Sequence, residues 1–235
     1  MKFQSPLIKG KLIKRYKRFM ADIELYNGDL VTAHCANSGS MLSINEPGAE
    51  VWVSPANNPD RKLKYTWEMI RINQSLVGVN TQHPNALVAE AIVAGKISAL
   101  SEVDNLQREI KYGTNSRIDI LLNLLDGRKC YVEVKNVTMR RELTKGAPAE
   151  FPDGITARGT KHLGELSNMV LQGNRAVMFY LVQRYDACSM TIARDIDLTY
   201  GEALDAARAS GVEVLAYNCK LSPKMIKVAD PVEFL

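Results

Sequence analysis

The feature that most constrains the fold is a change of rhythm near residue 81. Upstream of it every apolar run is short and no helical period develops. Strand-like stretches at 9–16, 20–26, 30–35, 50–55 and 65–72 are separated by turn residues, as small half-buried strands require. Asn27-Gly28-Asp29 lies between two of them, and Asn and Gly tolerate the positive φ of a tight hairpin turn. Five such strands in so little chain predict an OB-like β-barrel, an architecture that often carries oligonucleotides on its strand face and loops. The segment Asn80-Thr81-Gln82-His83-Pro84 reads as a linker. Beyond it strands and helices alternate. Asn85 is placed to cap a helix that runs to Val93 and ends at Gly95. Strands follow at 110–112, 117–125, 129–134, 175–182 and 212–217, with helices at 158–172 and 201–210. The expected organisation is two domains, a barrel over 1–81 and an α/β domain over 82–235.

Composition narrows the class further. With 46% hydrophobic and 24% charged residues in a chain of 235, disorder and fibrous structure are excluded. The longest apolar runs, such as 176–182, are too short for a membrane span. Lys9, Lys11, Lys14 and Arg15 interrupt every candidate apolar stretch near the start, so the expectation is a cytoplasmic protein. Cys35, Cys130, Cys188 and Cys219 form no Cys-x-x-Cys pair, and His34, His83 and His162 give no zinc spacing.

The net charge of +4 is unevenly spread, because residues 1–20 hold seven Lys or Arg and no acid, leaving −3 for the rest. Phe3, Tyr16 and Phe19 interleave with Lys14, Arg15, Lys17 and Arg18. That pattern is either a solvated face or a phosphate-binding surface with π faces beside its cations. The second reading makes Lys9, Lys11, Lys14, Arg15, Lys17 and Arg18 DNA-contacting residues.

The chemistry-bearing residues sit on two adjacent strands. Ser116-Arg117-Ile118-Asp119-Ile120 and Tyr131-Val132-Glu133-Val134-Lys135-Asn136 are joined around Asp126-Gly127. Side-chain alternation puts Glu133 and Lys135 on one side and Val132 and Val134 on the other. Asp119 and Glu133 are hard oxygen donors suited to Mg²⁺ or Mn²⁺, and Lys135 is placed to orient water or to stabilise charge on a phosphate. A Glu-x-Lys tripeptide alone usually marks a solvent-facing strand. Here it ends an apolar strand, follows an Asp-bearing strand, and is preceded by a helix with Glu90, which together describe a PD-(D/E)xK nuclease-like core. Glu102 and Glu109 compete with Glu90 for the third acid. The run from Phe151 to Leu166 opens a helix whose N-terminus carries Thr156, Arg158, Thr160 and Lys161, donors suited to an anion. His162 follows them as a structural or catalytic candidate.

These motifs resemble those of the sugar fermentation stimulation protein A family across essentially the whole chain. The matching stretches are 33–41, 61–68, 78–85, the Ser-Arg-x-Asp and Val-Glu-Val-Lys-Asn strands, and 151–166. Ala36 stands where the family more often has Pro, and Gly154 where it has Ala; neither is a proposed ligand. The resemblance implies an OB-like N-terminal domain, a nuclease-like C-terminal domain, and DNA binding with little sequence preference linked to maltose metabolism. It places Asp119, Glu133 and Lys135 on the nuclease-like motif, and Arg158, Lys161 and His162 on a Thr-x-Arg-Gly-x-x-His segment. The alternative expectation is an active Mg²⁺-dependent DNA nuclease. A helix-turn-helix reading of 203–214 is weaker, because the apolar run after Gly211 looks like a strand. The Asn37-Ser38-Gly39-Ser40 loop lacks the Gly-Lys-Ser/Thr ending of a P-loop and is expected to be a barrel turn.

Overall fold

The computed structural model describes residues 1–58, 60–113 and 115–235. Its first part contains strands β1 (Ile8–Tyr16), β2 (Met20–Leu25), β3 (Leu30–His34), β4 (Glu50–Pro55), β5 (Tyr65–Ile72) and β6 (Ser75–Gly78). They pair in the order β3-β2-β1-β4-β5-β6. A parallel contact of Ala33 and His34 with Tyr65 and Thr66 joins β3 to β5, which closes the first five strands into an OB barrel. Closure removes the exposed edges that a five-stranded sheet would otherwise present. Leu12, Ile23, Val51, Val53, Trp67 and Ile70 fill the interior. Gly10 sits where β1 presses on β2: a Cβ there would lie 2.6 Å from the Glu24 carbonyl oxygen. The Asn27–Asp29 turn forms with Gly28 at φ 89°, joining β2 and β3 as an antiparallel hairpin.

The second part holds α1 (Pro84–Val93), β7 (Val103–Tyr112), β8 (Ser116–Leu124), β9 (Lys129–Val137), β10 (Ala149–Phe151), α2 (Ala157–Leu171), β11 (Arg175–Val182), β12 (Ser189–Ile192), α3 (Leu198–Ala209), β13 (Glu213–Ser222), β14 (Met225–Pro231) and β15 (Glu233–Phe234). Its main sheet runs β14-β13-β11-β9-β8-β7, with β9, β11 and β13 mutually parallel. Both faces are covered, so β11 reads as one continuous buried run. Leu87, Val88 and Ile92 of α1 pack on one face with Ile120, Val132, Val134 and Phe179. Leu163, Leu166 and Met169 of α2 and Tyr200 and Leu204 of α3 cover the other. The chain is therefore an OB barrel followed by an α/β domain. The 203–214 segment is the end of a helix and the start of a strand, with Gly211 at φ 104° between them. No helix among the described residues is long and apolar enough to cross a membrane.

The seam between the two parts is specific. Segment 80–84, expected as a linker, is fastened: Asn80 Nδ2 donates to Glu68 at 2.9 Å, His83 Nε2 lies 2.7 Å from the same carboxylate, and Thr81 N–H donates to the Ala36 carbonyl. Its polar residues serve the buried Glu68, whose carboxyl burial pushes up but His83, Ser54 and Asn80 hold below its ordinary value. A second fastening joins the loop after β3 to the approach to α2. Asp153 Oδ2 accepts from Met41 N–H at 2.9 Å, and Ser40 Oγ donates to the Asp153 carbonyl. Gly39 leaves room for this contact, because a Cβ there would lie 2.5 Å from the Asp153 carboxylate and force it to shift.

This clamp makes a stability prediction. Gly39→Ala should destabilise the protein by about 1–3 kcal/mol, and should cost less in an Asp153→Ala background, where the clashing carboxylate is gone. Urea denaturation of both single variants and the double variant checks it; strict additivity would contradict the contact.

Candidate functional site

Strands β8 and β9 pair from Asn123↔Lys129 to Ile120↔Val132 and then stop. Past that point β8 stays with β7 and β9 stays with β11, so the sheet parts where Asp119 and Glu133 emerge. The Asp119 carboxylate occupies the gap: Oδ2 accepts the Val134 N–H at 2.8 Å. Oδ1 accepts from Asn85 Nδ2 on α1, also at 2.8 Å. Glu133 is 2% exposed. Its Oε1 receives the Lys135 ammonium at 2.8 Å and the Nδ1 side of His162, while Oε2 is buried without a hydrogen-bond partner among the described residues. A buried carboxylate oxygen left bare is costly unless something fills its lone pairs. That orphan, beside a second carboxylate, fits a divalent cation.

His162 reaches Glu133 because of helix periodicity. Thr156 caps α2 by accepting the Gly159 N–H at 3.1 Å, and the buried stripe then runs Gly159, His162, Leu163, Glu165, Leu166 and Met169. His162 shares the apolar spacing of its neighbours, and this was the available signal that it faces inward. Its Nε2 lies 3.4 Å from Arg158 Nε, so Arg158, His162, Glu133 and Lys135 form one chain of polar contacts.

Above the carboxylates lies a cleft of about 780 Å³ between the barrel and the α/β domain. Lys135, Asn85 and Asn136 are among the residues on its α/β side, Arg15, Arg18 and the 37–40 loop line its barrel side, and residues 150–156 also border it. Lys135 and Asn85 each bond one of the two carboxylates, which sets the Asp119–Glu133 pair directly behind the cleft wall.

The other sequence-predicted residues are placed as follows. Glu90 is not brought to this pair; its exposed carboxylate lies 2.8 Å from the Met1 amino group. Five residues beyond Asn85 is a rotation of about 140° on a helix, so only one of the two can face the gap, and it is Asn85. Asn85 is thus a first-turn residue and not the cap; His83 holds the cap position with no side-chain cap bond. The competing acid Glu109 is drawn in, accepting from Asn85 Nδ2 at 3.1 Å, whereas Glu102 is exposed ahead of β7. Of the basic residues, Lys9 pairs with Glu50 and lies over the Tyr26 and Trp52 rings. Lys14 lies 3.7 Å from Asp22. Arg15 donates to the carbonyls of Arg18, Asn37, Gly39 and Ser40 and holds the loop in shape. Lys11, Lys17, Arg18, Arg158 and Lys161 are exposed, and His162 is buried.

Residues that sequence reasoning missed complete the surroundings. The Tyr112 hydroxyl and Ser116 Oγ are buried without hydrogen-bond partners among the described residues. Burial, then the charges of Glu133, Glu165 and Asp119, push the Tyr112 phenol up. Glu165 is buried against Gly113, where a Cβ would meet its carboxylate at 1.9 Å. Among the described residues no group of three or more His, Cys, Asp or Glu side chains is gathered as a ready-made metal cage. Mg²⁺ does not need one, since it commonly uses one or two carboxylates, retained waters and substrate phosphate.

Residues 82–225 match the family model described as the sugar fermentation stimulation protein RE domain, and residues 13–79 match the SfsA N-terminal OB domain. A sugar fermentation stimulation protein homolog of Paramagnetospirillum magneticum is 53% identical over 232 residues, covering 99% of this chain and 97% of that protein. One from Rhodospirillum rubrum is 54% identical over 230 residues, covering 95% and 94%. The solved structure of Pyrococcus furiosus SfsA in complex with Ca²⁺ is 22% identical with a TM-score of 0.88, covering 100% of this chain and 98% of that one.

The electrostatics of the pair set a pH dependence. Burial and then the Glu133 charge raise the Asp119 carboxyl to about 6, against the Val134 N–H, Lys135 and Asn85, which lower it. Burial also raises Glu133, but the His162 bond and Lys135 charge outweigh it and hold that carboxyl below its ordinary value. The folded state therefore binds the Asp119 proton more tightly than the unfolded chain does. Its stabilising contribution is complete below the ordinary value of 3.8 and is lost as pH rises through about 6. Unfolding free energies of the parent protein and Asp119→Asn, measured from pH 4 to 7, should differ by an amount that changes across that window and is flat above it. A constant difference would contradict the shift.

Proposed function

The chain belongs to the sugar fermentation stimulation protein family, and from the geometry of its cleft we propose that it binds DNA with little sequence preference and hydrolyses phosphodiester bonds with a divalent cation. The observation that carries this reading is the bare, buried Glu133 Oε2 beside Asp119, behind a cleft whose opposite wall carries Arg18. Asp119 and Glu133 would hold Mg²⁺ or Mn²⁺. The Ca²⁺ bound by the Pyrococcus furiosus relative supports a divalent ion on this fold. The chemistry a bound cation supplies is Lewis-acid stabilisation of charge on the phosphate and a more acidic water.

The chain's own residues do the rest. Asn85 and the Val134 N–H fix both oxygens of Asp119, so its position needs no rearrangement when a ligand arrives. His162 orients Glu133 from α2 through Nδ1, which makes it a positioning residue and not a DNA contact. Lys135 is 14% exposed at the cleft and already 2.8 Å from Glu133; its ammonium donates to a phosphate oxygen or to the attacking water. Lys11, Lys17, Arg18, Arg158 and Lys161 stand outside the pair as candidates for phosphate contact, a term that carries affinity without sequence preference. Any effect on sugar metabolism then follows indirectly from action on DNA.

The test separates binding from chemistry. Glu133→Gln should lose Mn²⁺ binding by electron paramagnetic resonance or calorimetry. Lys135→Met should lower cleavage of linear DNA by about 10²–10⁴-fold. Both should keep a salt-sensitive gel shift. Mn²⁺ binding undiminished in Glu133→Gln would refute the cation site, and a gel shift indifferent to salt would refute the phosphate surface.

A further inference from the structure

The β1–β2 turn presents an aromatic side chain that neither the carboxylate site nor the phosphate contacts use. Lys17 and Arg18 both adopt left-handed backbone conformations, φ 48° and 61°. Non-glycine residues rarely accept that geometry, and here Arg15 Nε holds it by donating to the Arg18 carbonyl at 3.0 Å. The turn leaves Phe19 47% exposed. Its ring is stacked in an offset, near-parallel arrangement beside that of His34, the centroids 6.4 Å apart and the planes inclined by 19°. His34 flanks the ring in an offset arrangement, and much of Phe19 remains in water.

The surroundings say what would cover it. Arg18, one residue before Phe19, lines the cleft that leads to Lys135. His34, beneath it, lines a neighbouring cleft of about 420 Å³ together with Arg61 and Lys62. The platform therefore stands between two cation-bearing clefts. Exposed aromatic faces flanked by Lys and Arg are the means by which proteins hold unpaired bases, since each base offers a π face and each linkage a negative charge. A base-paired duplex keeps its bases stacked on one another and has no free face to give Phe19.

We propose that Phe19, stacked on His34, is a base-stacking platform that makes this protein prefer an unpaired DNA strand and leads that strand along Arg18 into the cleft. The proposal rests on the DNA-binding reading above and specifies its substrate class. It needs no metal, so it is tested in EDTA, with no cleavage. Fluorescent single-stranded and duplex oligonucleotides of equal length are titrated against the parent protein, Phe19→Ala and Phe19→Trp, with thermal melts to confirm folding. A 2-aminopurine base in the single strand reports stacking by quenching.

The parent should bind the single strand more tightly. Phe19→Ala should weaken single-strand binding about tenfold, abolish the quenching and leave duplex affinity and salt dependence unchanged, while Phe19→Trp should retain both affinity and quenching. Equal affinity of the parent for the two DNA forms, or an equal loss on both in Phe19→Ala, would overturn the platform and leave DNA binding standing. No binding of either form by the folded parent would overturn the DNA-binding reading and the platform with it.

Discussion

The hydrogen bond from the Val134 N–H to the Asp119 carboxylate is the contact on which the site depends. An antiparallel pair normally spends that amide on a backbone carbonyl of the neighbouring strand. Here the strands separate after Ile120↔Val132, and a side chain takes the amide instead, so the gap is satisfied and not merely open. The consequence is geometric: two carboxylates and a lysine emerge at one point in an otherwise fully covered sheet. It is also electrostatic, because the half-buried Asp119 lies close enough to Glu133 for that like charge to raise its carboxyl. Lys135 and His162 offset the buried Glu133 charge, and removing either leaves that charge less compensated, which is costly in the interior.

The barrel gives this site its other wall. Glu68, Asn80 and His83 fasten the start of α1 to β5, and α1 in turn carries Asn85 to Asp119. The Asp153 clamp fixes the 37–41 loop against the approach to α2, the helix that carries His162 to Glu133. Both residues that steady the carboxylates are thus delivered by elements tied to the barrel. Trp52 and Met69 extend this coupling, since these barrel residues belong to the same apolar cluster as α1 and β9. The fold explains why an OB barrel and an α/β sheet act as one unit around the cleft.

Much of this was legible in the sequence, for identifiable reasons. The five closing barrel strands and the long elements β8, β9, β11, α2 and α3 announce themselves through regular apolar spacing and through Gly28, Gly127 and Gly211 at turns. The short strands β6, β10, β12 and β15 do not, because two to four residues carry no period. The Asp119, Glu133 and Lys135 motif was readable because strand alternation fixes which side chains share a face. Asn85 was misread as a cap since Asn favours that position locally; only the tertiary fold brings Asp119 within its reach. Glu90 was an acid on the right helix at the wrong angle. The basic run at the start was read as one surface, but Lys9 and Lys14 have acidic neighbours from β4 and β2, and Arg15 binds loop carbonyls. Charge counting cannot see partners supplied by other strands.

The central claim is that the parted strands β8 and β9 form a divalent-cation site. The most direct measurement is anomalous diffraction from crystals soaked in Mn²⁺. The account predicts one strong peak contacting Asp119 and the Oε2 oxygen of Glu133, absent from Glu133→Gln crystals. A gap without a peak, in crystals that bind Mn²⁺ elsewhere, would contradict it.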